Sequence, residues 1–428
     1  MAASPTFHEE TTLQTSLQLA HGEIANLTEK PQPIAEIATS KPGRTMSIYH
    51  AAAGYDLQHE LDFLSNRAME PNVFFSSRFL APAMPRIEDR EVRLAIIRDD
   101  REDGRSRLRF LMPFSIEKPG FAIGAHIIRA WANHFGPLGT PLVDAEDAAE
   151  TIDHVFESLG REDSRMPHVL VLPDVRLQGP FAALARAIAI SRGLPVETAN
   201  PFRRAMLESM QDGDTYLRDT IKSSHMREMR RQWNLLGKLG ETEYKVARQQ
   251  REVRSRMEEF LLLEASGWKG RKRTALLSDR YRAAFAREAI NNLAEADAAR
   301  IHTIDHNGRA IASMIVLMMN GEAYTWKTAY DENFARYSPG KLLVAQLTEW
   351  HLDDANIVRT DSCAIEDHPI MSRFWKEREE MGTLVIGLRQ HSDREVRQVA
   401  SQLHLYQNTR NVARLIREKI RSLGRKGV

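Results

Sequence analysis

The residues best suited to chemistry fall in the second half of this 428-residue chain. Ser338-Pro339-Gly340-Lys341-Leu342 has the form of a helix start, with a capping serine and a proline at the first helical position. Such a start leaves backbone N–H groups free at the positive end of the helix dipole, which suits an anion. Gly340 would let a phosphate approach closely, and Lys341 would add a point charge. The same pattern also serves as a plain cap, so both readings stand. Lys327, Tyr330 and Asp331 close one strand-like run, and Asp361 closes the next. A cation, a phenol and two carboxylates are the groups that stabilise an oxyanion and move protons in acyl transfer. The alternative for Lys327 and Asp331 is a surface ion pair, which contributes little. Glu264, Trp268 and Lys269 lie where a long helical stretch gives way to a glycine-flanked loop, and there a large aromatic either lines a pocket or anchors packing.

Other features carry less. Trp375 and Lys376 lie on an expected helix, with core packing the favoured role for Trp375. Arg227, Arg230 and Arg231 share one helix face, which reads as a solvated surface before it reads as a phosphate site. Cys363, the single cysteine, stands beside Asp361 and reads as a buried structural thiol rather than a nucleophile. No His-Glu-x-x-His, P-loop or dinucleotide glycine pattern occurs, and the 15 histidines show no metal-ligand spacing. No metal is expected.

Lys and Arg number 59 against 58 Asp and Glu, so bulk charge gives no support for a DNA-coating protein. One cysteine excludes internal disulfides and fits a reducing compartment. The longest apolar stretch, near Ile311 to Met319, is short of the roughly 18 to 20 residues that a membrane span requires. A cytoplasmic location is expected.

The elements that must position these residues are legible from their spacing. Arg300 to Asp305, Arg309 to Met319 and Glu322 to Ala329 are strand-like runs joined by Asn307-Gly308 and Asn320-Gly321, which specify a three-stranded meander. Before it come a strand at Glu243 to Ala247 and helices at Gln249 to Ala265 and Asp279 to Ala294. After it come a helix from Ser338 to about Asp354, a strand at Ile357 to Thr360, a helix around Pro369 to Glu380 and a strand at Thr383 to Leu388. The first half repeats this order more loosely: Met46 to Tyr49, a helix from Asp56, a hairpin of Val92 to Arg98 with Arg107 to Phe114 about Asp103-Gly104, then helices at Ala145 to Leu159 and Pro180 to Arg192 around a strand at Val169 to Leu172, and a last strand after them. The resulting organisation is a mobile tail over 1–44, an α/β half with a mixed sheet over 45–240, a second over 241–390, and a basic amphipathic helix over 391–428. That helix carries nine Lys or Arg against three acids from Asp393 onward. It is expected to dock on its own domain, with a partner or an anionic membrane surface as the minority reading.

The element order of the second half is that of the GNAT acetyltransferase superfamily. Glu264-Ala-Ser-Gly-Trp268-Lys269-Gly270, Lys327-Thr-Ala-Tyr330-Asp331 and Tyr337-Ser338-Pro339-Gly340-Lys341-Leu342-Leu343 together resemble the CelD/BcsL family of GNAT-like acyltransferases, associated with cellulose and exopolysaccharide biosynthesis and related to the tandem-GNAT FemAB transferases. The resemblance spans about Met46 to Leu388. It implies a tandem GNAT-like fold and transfer from acetyl-CoA or another acyl-CoA to an amine or hydroxyl of a sugar, polysaccharide precursor or small molecule. It also implies polysaccharide-synthesis partners through the C-terminal helix; a peripheral place at the inner membrane surface belongs to the minority reading of that helix. Within it, Asp361 or Asp331 would be the base, Tyr330 the proton donor to the thiolate, and Lys327 an oxyanion or substrate contact. Ser338 to Leu342 would hold the donor, and Glu264, Trp268 and Lys269 the acceptor. The GNAT phosphate signature Gln/Arg-x-x-Gly-x-Gly/Ala is replaced here by Ser-Pro-Gly-Lys. That departure keeps open two alternatives: FemAB-like aminoacyl transfer from aminoacyl-tRNA, and a non-catalytic scaffold in polysaccharide synthesis.

Overall fold

The computed structural model describes residues 31–87, 90–100 and 106–424, with side chains described as far as residue 409. The chain runs β1 (Ala35–Ala38), β2 (Arg44–His50), α1 (Gln58–Ser65), α2 (Ser77–Ile87), β3 (Arg93–Asp100), β4 (Ser106–Glu117), β5 (Ile127–Ala130), β6 (Leu142–Val143), α3 (Ala148–Gly160), β7 (Val169–Arg176), α4 (Pro180–Ser191) and β8 (Val196–Leu207). Connecting helices α5 (Gly213–Thr220) and α6 (Ser223–Leu239) lead to β9 (Thr242–Ala247), α7 (Gln250–Ser266), α8 (Arg280–Glu295), β10 (Ala299–His306), β11 (Arg309–Met319), β12 (Glu322–Tyr330), α9 (Pro339–Asp353), β13 (Arg359–Asp361), β14 (Glu377–Gly387) and α10 (Asp393–Gly424). Asn307 and Gly308 have φ of 50° and 76°, and Asn320 and Gly321 50° and 78°. These paired left-handed residues close the two tight turns of the β10–β12 meander.

Among the described residues one mixed sheet contains every strand, in the order β1-β2-β3-β4-β5-β7-β14-β8-β13-β12-β11-β10-β9, with β6 on β4. From β2 inward and from β9 inward the order is the same: four antiparallel strands, then one parallel to the fourth, then the last strand of the other half. β5 pairs in parallel with β7 as β12 does with β13. β14 and β8 have exchanged places and pair antiparallel with each other, so a pseudo-twofold axis passes between them. The two halves are therefore joined by strand exchange as well as by the linker.

The sheet does not lie flat. Arg176 of β7 forms a two-pronged ion pair with Glu322 of β12, although three strands intervene. At about 4.8 Å per strand a flat sheet would separate these strands by about 19 Å, more than the two side chains reach together. The sheet folds about the β14–β8 seam, where register shifts at Met381–Thr383 mark a bulge, and its two wings face each other. Alternation along the strands feeds separate cores: Leu94 and Ile96 join one cluster, Ala95 and Ile97 another. In the first cluster α2 meets its counterpart α8, with Phe79 and Phe285 edge to face at 5.3 Å. Ala286 and Ala289 are buried in the same cluster and allow close approach. α3 and α4 cover the first wing, while α5 and α9 cover the second.

Several expectations are corrected. β1 lies inside the segment read as a tail, and Arg44 is buried against Asp99, so order begins before residue 45; residues 1–30 lie outside the described residues. The turn at Asp103-Gly104 also lies outside them. The helix expected at Pro369 to Glu380 is a single turn, Met371–Phe374, because Glu377 to Glu380 pair with β8 instead. α10 forms as expected, and Val396 and Val399 pack on Ile127, Val169, Val171, Ala199 and Val385. Among the described residues no helix is long and apolar enough to cross a membrane.

Candidate functional site

β12 and β13 run in parallel as far as the pair Tyr324–Asp361, held by one further bond from Thr325 Oγ1 to the Ser362 carbonyl at 2.7 Å. Beyond it β12 continues to Tyr330 while β13 ends, and a gap opens between them. A bulge in β12 fixes what enters that gap: Ile315 faces Lys327 and Val316 faces Thr325, leaving Trp326 without a partner. Trp326 turns into the core against Phe79 and Phe285 and donates its indole N–H to the Phe135 carbonyl at 2.6 Å. Its neighbour Lys327 lines the gap, with Nζ 4.5 Å from the Phe135 ring centre. The gap is one end of a cleft of about 1530 Å³ between the two wings of the sheet.

Six of the anticipated residues share this cleft: Glu264, Trp268, Lys269, Lys327, Tyr330 and Gly340. Burial lowers the Lys327 ammonium from 10.5 to about 8, with Lys269 lowering it further and Glu264 opposing. Glu264 lies within α7, not in a loop. It accepts from Lys269 Nζ at 2.9 Å and from the Leu276 N–H at 2.8 Å, while Lys269 also donates to the Thr328 carbonyl at 2.8 Å. Glu264 and Lys269 therefore tie the α7–α8 connection to β12. Trp268 opens a single helical turn, is 42% exposed and carries Lys272 Nζ 4.5 Å from its ring centre.

The other anticipated residues lie off the cleft wall. Asp331 accepts from the Asn333 N–H at 2.9 Å and caps a short helical turn. Asp361 is fully buried: one oxygen accepts from the Cys363 N–H at 2.7 Å, and the other from Arg204 Nη1 at 3.2 Å with Arg176 at 3.8 Å. Ser338 has left-handed φ and ψ of 52° and 48° and makes no side-chain cap; its carbonyl takes the Lys341 N–H at 2.9 Å. Pro339 and Leu342 are core residues, and Lys341 is half-buried beside them. A Cβ placed on Gly340 would meet only Tyr330 Cδ1, at 3.9 Å, so the helix start opens onto space next to Tyr330. The first turn of α9 has no acid. The equivalent start in the first half, α3, has Asp147 at its N-cap and Glu150 in its first turn, with Arg67 and Arg107 bound to Asp144 just before it. Of the two helix starts, that of α9 fits a phosphate-bearing donor.

Residues from the first half complete the cleft, and sequence reasoning did not single them out: Arg129, His134, Asp174, Phe202 and Arg204. Burial lowers His134 to about 4, with Lys327 and Arg282 acting in the same direction. Cys363 is left-handed at φ 49°, and burial pushes its thiol well up, which leaves it a poor nucleophile. Trp375 is fully buried and bonds Thr348 Oγ1 at 2.9 Å, the expected packing role. Arg231 pairs with Glu228 at 2.7 Å on an exposed face of α6.

The family model described as acetyltransferase (GNAT) domain matches residues 223–361, from α6 to β13. No curated protein sequence matches the chain. Among solved structures, the C-terminal DUF2156 domain of a protein described as a lysylphosphatidylglycerol synthetase, from Agrobacterium fabrum, aligns over 81% of this chain and 95% of its own at 12% identity and a TM-score of 0.50. FemX aligns over 80% of this chain and 98% of its own at 9% identity and 0.50. A conserved protein of unknown function from Bacteroides thetaiotaomicron aligns over 78% and 97% at 12% and 0.50. Residues 223–361 thus match a GNAT acetyltransferase domain, set within the large mixed sheet of a tandem GNAT fold.

Proposed function

We propose that the protein transfers an acyl group from acyl-CoA, held in the gap between β12 and β13, to an amine or hydroxyl of a sugar, polysaccharide precursor or other small molecule entering from the first half. The observation that carries this reading is the β12 bulge. It sets Lys327 in the cleft that the acid-free start of α9 also lines. The Gly340 N–H would meet the donor's pyrophosphate at the positive end of the helix, with Ser338 before it shaping the helix start, and Lys341 would add charge from beside it. The acyl-CoA supplies the activated thioester. As the acceptor adds to the carbonyl carbon, negative charge builds on oxygen, and the desolvated Lys327 ammonium faces it in a low-dielectric site. Tyr330, next to Gly340, would protonate the departing thiolate. Asp361 acts through Arg204 and through the Cys363 N–H, fixing the wall of the gap. The test is thiol release from acetyl-CoA by the purified protein with amine and alcohol acceptors. Acceptor-dependent release supports the reading, and its absence with every donor and acceptor removes it.

A further inference from the structure

The first half brings to the cleft a carboxylate that the donor reading leaves unused. β7 departs from regular geometry at Pro173-Asp174, where Asp174 has φ 51° and the pairing with β14 shifts register. Left-handed backbone is costly for any residue with a Cβ, and such outliers persist where surrounding structure enforces them. Here the enforcement is visible: Gly139, before α3, lies so close to the Pro173 carbonyl that a Cβ there would overlap it. Asp174 stands one residue past the pseudo-twofold equivalent of Cys363: it lies three residues beyond the last parallel pair, Arg129–Val171, where Cys363 lies two beyond Tyr324–Asp361, and both residues are left-handed and line the same cleft.

Among the described residues no hydrogen bond or ion pair reaches the Asp174 carboxylate. Its charged neighbours are Arg204 and Arg129. Arg204 does not clamp it, because its two terminal nitrogens donate to Asp361 and to the Pro137 carbonyl at 3.2 Å each. A half-buried carboxylate that lines a cleft without a protein partner is a group that a ligand completes.

We propose that Asp174 is the acceptor-side catalytic carboxylate and that the acceptor is a primary amine whose nitrogen lies on Asp174 during attack; the inference rests on the donor reading above. A carboxylate takes a proton most readily from the acidic ammonium that forms as an amine adds to a carbonyl, whereas an alcohol must give up its far less acidic proton during the attack itself. The amine lone pair forms the C–N bond, the C–S bond breaks, the nitrogen's proton passes to Asp174, and the thiolate takes one from the Tyr330 hydroxyl. Solvent then accepts the proton on Asp174 and restores that of Tyr330, leaving an amide and free CoA.

The experiment measures thiol release from acetyl-CoA with glucosamine, lysine and spermidine against glucose and glycerol, together with calorimetric binding of acetyl-CoA. The expected result is release with an amine, lowered at least about 100-fold in kcat/KM by Asp174→Asn while acetyl-CoA affinity is unchanged. Asp174→Gly is expected to be equally inactive yet to melt at a higher temperature, because glycine adopts this φ without strain. Asp174→Asn activity within threefold of the original protein, faster release with the alcohols, or acetyl-CoA binding without release by any of these amines overturns the proposal. Failure of acetyl-CoA to bind at all refutes the donor reading, and this inference with it.

Discussion

Replacing Lys327 by methionine should stabilise the protein at neutral pH while disabling it. The ammonium is held from 10.5 down to about 8 chiefly by desolvation. At about 1.36 kcal/mol per pH unit, that shift corresponds to an upper bound of about 3 kcal/mol of folding stability lost to charging Lys327 in place. Methionine keeps the length and the contact with Phe135 without the charge. The sign follows from proton counting. Between pH 8 and 10.5 the unfolded chain holds a proton that the folded chain has released, so the original protein gains stability as pH rises through that window. Below pH 8 the variant should be the more stable by its full margin, and above 10.5 the margin should vanish. Urea unfolding at pH 7, 9 and 10.5 reads it directly. Turnover should fall about 100- to 1000-fold, the loss that follows removal of one oxyanion donor. A variant less stable at pH 7, or a margin independent of pH, would refute the argument that Lys327 is a desolvated cation in this gap.

Glu322→Gln should destabilise the fold by about 3 to 5 kcal/mol in urea unfolding, because it leaves Arg176 buried with only Asp361 and Glu70 within 4 Å. His351, fully desolvated and lowered to about 3, bonds Thr360 Oγ1 at 2.8 Å and lies 5.3 Å from the equally buried His302. The unfolded chain takes up its proton near pH 6.5 and the folded chain only near 3, so stability is complete above 6.5 and lost as pH falls across that window. His351→Gln should flatten this acid-side loss, which urea midpoints between pH 7 and 4 would show. Lys341→Ala should weaken CoA binding slightly, and less so at high salt, since a half-buried point charge beside the site is screened.

The second half was legible because its signals are local. Two Asn-Gly turns set the meander, and Ser338-Pro339 marks the start of α9 to within one residue. The last strand of the first half, β8, was expected in the element order but not bounded, because Asn200-Pro201 interrupts its pattern. In the structure that dipeptide sits at a bulge opposite Gly382, where a strand tolerates proline and a left-handed asparagine. β14 begins early because cross-strand pairing and Arg359 outweigh the helix preference of Glu377 to Glu380. Spacing brought Lys327, Tyr330 and Gly340 together because they flank one strand and the next helix. It could not show Asp361 buried behind the wall, nor the arrival of Asp174, His134 and Arg204, since these depend on folding the sheet about the β14–β8 seam. The one local hint for Asp174 was a proline-aspartate pair at the end of an apolar strand.

The central claim is that an acyl-CoA donor is held at the start of α9, and calorimetric titration of acetyl-CoA into the original protein and Gly340→Asp tests it most directly. A side chain at Gly340 meets only ordinary contact with Tyr330, and a carboxylate in a first helical turn gains about 0.3 to 1 kcal/mol, so the variant should melt normally. The account predicts saturable binding to the original protein, weakened at least about tenfold by the new charge, equivalent to about 1.4 kcal/mol. Undiminished acetyl-CoA binding by a normally melting Gly340→Asp protein would contradict it.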